Sequence, residues 1–135
     1  MIINHIGVVV RSLEQSQVFF ESNFGYNKKV DKIFVKNQSV NIVILENPKG
    51  GPDIELITPV GANSPSFNAL RKGLTLNHIC YETKNYKKLL KRYQNKIVRP
   101  SMPTPIELFG GGNTFFVFMG GMLIEFLERN NDHME

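Results

Sequence analysis

Two histidines and two glutamates recur in the same order in the two halves of this 135-residue chain. Asn4-His5-Ile6 opens the first half, and Asn77-His78-Ile79 restates it 73 positions later. Ile54-Glu55-Leu56-Ile57 follows the first histidine by 50 residues, and Ile124-Glu125-Phe126-Leu127 follows the second by 47. Taken singly, each histidine reads as a hydrogen-bonded core residue and each glutamate as a surface strand residue. Four at a repeated spacing, each beside β-branched or apolar neighbours, point to a shared task. Successive side chains of a strand face opposite ways, so each polar group can enter a cavity while its neighbours pack behind the sheet. Two neutral imidazoles and two carboxylates balance the charge of a divalent cation. The expectation is one such ion held by His5, Glu55, His78 and Glu125, a borderline donor set that suits cobalt, nickel, zinc, manganese or iron better than calcium or copper(I). Four protein ligands would leave an octahedral ion two positions for water or substrate. A carbonyl bound there would be polarised, its neighbouring C–H would become acidic, and a nearby carboxylate could take the proton.

The elements that must position these residues read as one βαβββ unit used twice. Residues 2–10 are a β-branched run that predicts a buried strand. Ser12, with Gln15 three residues on, predicts a capped helix whose stripe is Leu13, Gln17, Phe20 and Phe24 and whose stop is Gly25. Strands are expected at 29–36 and 39–46, joined by a tight turn at Asn37-Gln38. Asn47-Pro48-Lys49-Gly50-Gly51-Pro52 then breaks the chain before the Glu55 strand. A short linking helix is expected over about 64–73, with Ser64 as cap, Pro65 in its first turn, Phe67 and Leu70 as its apolar side, and Gly73 as its end. In the second half the His78 strand precedes an amphipathic helix marked by Tyr86, Leu89, Leu90 and Tyr93. Pro100, Pro103 and Pro105 exclude helix and central strand from that stretch. A hairpin over 113–119 and 122–128 turns at Gly120-Gly121, and the polar end from Asn130 to Glu135 is expected to fray. The fold class is therefore α+β, a single domain of two modules at about 2–60 and 76–129.

Composition bounds the partners. The 41% hydrophobic content is ordinary, and no stretch approaches the roughly 20 apolar residues a membrane span requires. The opening segment lacks the pattern of a secretory leader, and Cys80 is the single cysteine, which agrees with a reducing compartment; a cytoplasmic location is expected. The net charge of +4 is mild, concentrated at Lys84, Lys87, Lys88, Lys91, Arg92, Lys96 and Arg99. Such a run is the solvated side of a helix or the complement of an anionic substrate. No aromatic interleaving or recognition motif accompanies it, so nucleic acid is not expected. Cys80 shares a face with His78 and is read as small packing material. Phe109-Gly110-Gly111-Gly112 precedes a strand rather than a helix, which suits a lip over the cavity better than a phosphate loop. Phe115, Phe116 and Phe118 are read as chiefly core, with Phe116 and Phe118 sharing a parity that could wall the pocket.

The paired modules, the strand starts at His5 and His78 and the endings around Glu55 and Glu125 resemble the vicinal oxygen chelate superfamily over residues 4–128. Within it, Glu55-Leu56-Ile57-Thr58-Pro59-Val60-Gly61-Ala62-Asn63-Ser64-Pro65, followed by Asn77-His78-Ile79, most resembles the methylmalonyl-CoA epimerases. The resemblance implies a curved mixed sheet around a metal cavity, a homodimer, and an anionic or thioester small-molecule substrate. It also implies an isomerase in which Glu125 is both ligand and catalytic base. The chain departs from some relatives in offering Asn41 where an acidic residue often lies, with Glu46 nearby at the end of the same expected strand. Lactoylglutathione lyase, whose bacterial members also use two histidines and two glutamates, is the alternative enzyme. A non-catalytic binding module like the bleomycin-resistance proteins is the alternative outside enzymes.

Overall fold

Strand β1 (Ile2–Val9) carries His5 and leads into α1 (Leu13–Phe24), β2 (Asn27–Val35), β3 (Val40–Glu46) and β4 (Asp53–Pro59). After α2 (Phe67–Arg71), the order repeats as β5 (Leu76–Thr83), α3 (Tyr86–Arg92), β6 (Ile97–Pro103), β7 (Asn113–Met119) and β8 (Met122–Glu128). The computed structural model describes residues 1–64, 66–73 and 76–129, so Pro65 and the polar end at 130–135 lie outside the described residues. The architecture is the expected α+β fold of two βαβββ modules. By contact the chain divides into two compact units, one of His5–Asn77 and one of Met1–Asn4 with the residues from His78 onward.

In the first unit the strands lie in the order β2-β3-β4-β1, antiparallel except for the parallel β4–β1 pair. One face of these strands presents Val43, Leu45, Ile54 and Leu56, which pack with Leu13 and, around the margin, Ile6, Val8, Phe20 and Tyr26. α1 begins where expected, since Ser12 Oγ accepts the Gln15 N–H at 3.1 Å. It ends at Gly25, whose φ of 75° is left-handed and whose N–H reaches the Glu21 carbonyl. The expected stripe is only partly inward. Phe24 is exposed beside Phe19, and the three rings of Phe19, Phe20 and Phe24 meet edge to face or tilted at centroid distances of 5.5–5.9 Å.

The second unit orders its strands β5-β8-β7-β6, with β5 and β8 parallel and the other pairs antiparallel. Phe115, Val117, Ile124 and Phe126 fill its core with Tyr86 and Leu89 of α3, as the helix periodicity predicts. Burying each such side chain contributes roughly 1.5–3 kcal/mol, so this cluster is where the unit gains much of its stability. β6 contains Pro100 and Pro103 and is the end strand of the unit's order; two register shifts accommodate them. Proline removes a ladder donor, so the stretch forms a strand only at an edge. Gly120 and Gly121 take φ of 60° and 73°, the pair of left-handed positions that a two-residue hairpin turn requires.

Three expectations need correction. The connection between β2 and β3 is a three-residue 3-10 turn, Lys36–Gln38, closed by Ser39 at φ 52°, rather than a two-residue turn. The linking helix is confined to Phe67–Arg71, and Ser64 does not cap it: its Oγ contacts Ser66 Oγ at 3.0 Å and the Gln38 carbonyl at 3.4 Å. Phe118, expected to be chiefly core, is 57% exposed one residue before the end of β7. Among the described residues no helix is long and apolar enough to cross a membrane.

Candidate functional site

Register decides which side chains share a face. In the first unit β1 sets His5 opposite Asp53 and Gly7 opposite Glu55 on β4, which places both His5 and Glu55 on the side away from α1. His5 is fully buried and Glu55 nearly so. Their Nε2 and Oε1 atoms lie 3.6 Å apart. That is long for a hydrogen bond but close to the separation of about 3 Å that two ligands of one ion adopt when each sits about 2.1 Å from it.

The same face extends across β3, where Ile44 is opposite Glu55, and by alternation Glu46 shares it. Asn41 alternates to the helix-packed side with Val43 and Leu45. The structure therefore removes the significance given to Asn41: whatever stood there would point away from Glu55. Asp53 lies on the His5 face at the start of β4 and pairs with Lys29 Nζ at 3.0 Å.

The second unit repeats the arrangement with tighter geometry. Cys80 and Glu125 are register partners on β5 and β8, so His78, two residues before Cys80, shares their face. His78 Nε2 and Glu125 Oε1 lie 3.0 Å apart, both side chains buried. Thr114, which has no exposed surface, donates its hydroxyl to Glu125 Oε2 at 2.7 Å. The Phe126 carbonyl is also within 3.1 Å of that hydroxyl. One O–H serves one acceptor at a time, and the shorter bond to a carboxylate is the stronger. The carboxylate is thus held at both ends.

Phe116, opposite Glu125 on β7, sets its ring edge to face against His78 at 5.3 Å, and Arg99 lies over the Phe116 ring at 4.7 Å. Cys80 is buried on this face as a thiol rather than a disulfide. Behind the sheet, burial pushes the Tyr86 phenol above its ordinary pKa of 10.0, with the negative charges of Glu128 and Glu125 acting in the same direction and a hydrogen bond to Ser101 opposing them.

Each predicted ligand is therefore a buried residue facing its module partner, His5 with Glu55 and His78 with Glu125. A carboxylate removed from water is costly unless compensated, and two buried imidazole–carboxylate pairs fit a divalent ion chemically. Thr114 was not anticipated. The signal was present in the Gly120-Gly121 turn: a two-residue hairpin fixes Phe116 opposite Glu125, and Thr114, two residues earlier, then lies diagonally across from it on the same face.

The sequence profile of the Glyoxalase/Bleomycin resistance protein/Dioxygenase superfamily matches residues 4–128. The uncharacterized protein YqjC of Bacillus subtilis is 27% identical over 134 residues, covering 96% of this chain and 94% of that protein. The mitochondrial methylmalonyl-CoA epimerase of Bos taurus is 25% identical over 99 residues, 72% of this chain and 55% of that one. The crystal structure of methylmalonyl-CoA epimerase from Mycobacterium tuberculosis superposes with a TM-score of 0.82 at 17% identity, covering 98% of this chain and 90% of that one. The fold is the same.

Proposed function

Because the chain belongs to the glyoxalase/bleomycin resistance protein/dioxygenase superfamily, we propose that it is an isomerase of the epimerase type that moves a proton on the carbon next to a thioester carbonyl. His5, Glu55, His78 and Glu125 would together hold one divalent ion, of cobalt, nickel, zinc, manganese or iron. Bound there, the ion would supply Lewis acidity toward the substrate's carbonyl oxygen. The observation that carries the reading is the buried His78–Glu125 pair with Thr114 fastened to its far oxygen.

Glu125 is the base in this scheme. Its Oε1 is turned toward His78 and its Oε2 toward Thr114, so the carboxylate is oriented before substrate arrives. Phe116 and Cys80 give the face around it an apolar lining that keeps water from the reacting carbon. Epimerisation needs a second group to return a proton on the opposite side. Glu46 shares the face of Glu55 and is the residue of this chain suited to that role.

The test begins with protein purified without a metal-affinity tag. Elemental analysis should find about one divalent ion per chain, and methylmalonyl-CoA should be turned over while the methylglyoxal–glutathione adduct is not. The reverse preference would make the protein a lyase, and absence of metal with binding but no turnover would make it a sequestering module. Glu125→Gln keeps an oxygen donor and removes basicity. It should retain metal yet slow exchange of the substrate's carbon-bound proton for solvent deuterium by about 100-fold or more. Native exchange in that variant would move the base to another carboxylate.

A further inference from the structure

The lysines that follow β5 border two adjoining cavities. One, of about 250 Å³, is lined in part by Glu82, Thr83, Lys84, Asn85 and Arg129. The other, of about 370 Å³, shares Lys84, Asn85 and Arg129 and adds Lys87, Lys88 and Glu128. Lys84, Lys87 and Lys88 are spaced three and four apart, so their exposed side chains gather on one side of the start of α3. None of the three forms an ion pair among the described residues.

Both carboxylates of the cavities are already engaged. Glu82 Oε2 accepts from Asn4 Nδ2 at 3.1 Å and lies 3.6 Å from Arg129 Nε; Glu128 Oε1 accepts from the Asn113 amide groups at 2.9 and 3.3 Å. Four cations against two committed carboxylates leave a surplus of two positive charges in a concave site, where the field is focused. Rotatable ammonium donors beside a planar guanidinium suit phosphate oxygens.

We propose that the two cavities form one binding site for a phosphate-bearing anion, and that it receives the phosphates of a CoA thioester, the second part resting on the function proposed above. β5 and β8 run parallel from the candidate chemistry to this site. Five residues separate His78 from Thr83 and four separate Glu125 from Arg129, roughly 16 and 13 Å at 3.3 Å per residue. A CoA thioester carries its acyl group and its phosphates at opposite ends of a long flexible arm, the shape such a separation requires.

Calorimetric titration of the full chain with pyrophosphate, and separately with coenzyme A, tests this. The triple variant Lys84→Ala, Lys87→Ala, Lys88→Ala should bind both probes about 10-fold or more weakly. A control with the same charge loss on lysines that line neither cavity, Lys32→Ala, Lys36→Ala, Lys49→Ala, should change affinity by less than about 2-fold, because the effect of net charge alone is screened by salt. No binding of either probe, or equal weakening in both triple variants, overturns the site. Coenzyme A binding more tightly than pyrophosphate supports the thioester assignment; equal affinities keep a phosphate site and overturn its link to the substrate. Binding of both probes is read without turnover, so failure of the proposed reaction and failure of this site are separable.

Discussion

At the residue scale, the position of one hydroxyl decides what Glu125 can do. Thr114 is buried on the Glu125 face, so replacing it by valine keeps the volume and removes the hydroxyl that donates to Oε2. Loss of a partner that orients a metal ligand typically weakens metal affinity 10–100-fold. Thr114→Val should therefore weaken metal binding by about that factor in a chelator-competition titration, while Thr114→Ser, which restores the donor, should stay near the native value. Equal affinity in both variants would reduce Thr114 to packing. His5, Glu55, His78 and Glu125 were legible from their repetition because a duplicated module repeats its polar exceptions along with its apolar rule. Thr114 was not, because a threonine in a β-rich segment is ordinary until register says which carboxylate it meets.

At the element scale, α3 is tied to the sheet behind the site through Tyr86. Its phenol packs edge to face on Phe115 at 5.3 Å and is hydrogen-bonded to Ser101. Burial raises the folded pKa above 10.0, so between pH 10 and that raised value the native chain keeps a proton that the unfolded chain has lost. Stability must then fall as pH rises through this window and owes nothing to the shift below it. Tyr86→Phe removes the titration at the loss of one hydrogen bond, roughly 0.5–1.5 kcal/mol. Denaturant melts should show the variant less stable than the native chain near neutrality, with the gap narrowing above pH 10. A gap independent of pH would contradict the buried, neutral phenol. The helices were legible from capping and periodicity, as Ser12, Gly25, Tyr86 and Leu89 illustrate. Helix α2 was overextended because a serine followed by proline signals a helix start, whereas here the Ser64 hydroxyl is turned to Gln38 and Ser66.

At the scale of the whole molecule, β2 and β6 are the end strands of their units, and Phe34 and Val98 on them are exposed. Unpaired strand edges favour association, and the expected assembly is a homodimer. Sedimentation equilibrium at micromolar concentration should give twice the 15.4 kDa of one chain, and a species of 15.4 kDa alone would contradict it. The duplicated βαβββ order and the fold class were determined by the amino-acid sequence alone, which also singled out His5, Glu55, His78 and Glu125 as candidates, since alternation and turn chemistry are local and a repeat is visible without coordinates. Strand β6 was decided by the sheet, because prolines are tolerated only at an edge and nothing local says which strand is the edge. The assignment of Glu46 to the Glu55 face and of Asn41 to the helix side was decided by register, which depends on long-range pairing between β3 and β4. The cavities around Lys84 and Arg129 likewise exist only in the folded chain, where residues more than 40 positions apart in sequence are brought together by the parallel pairing of β5 with β8.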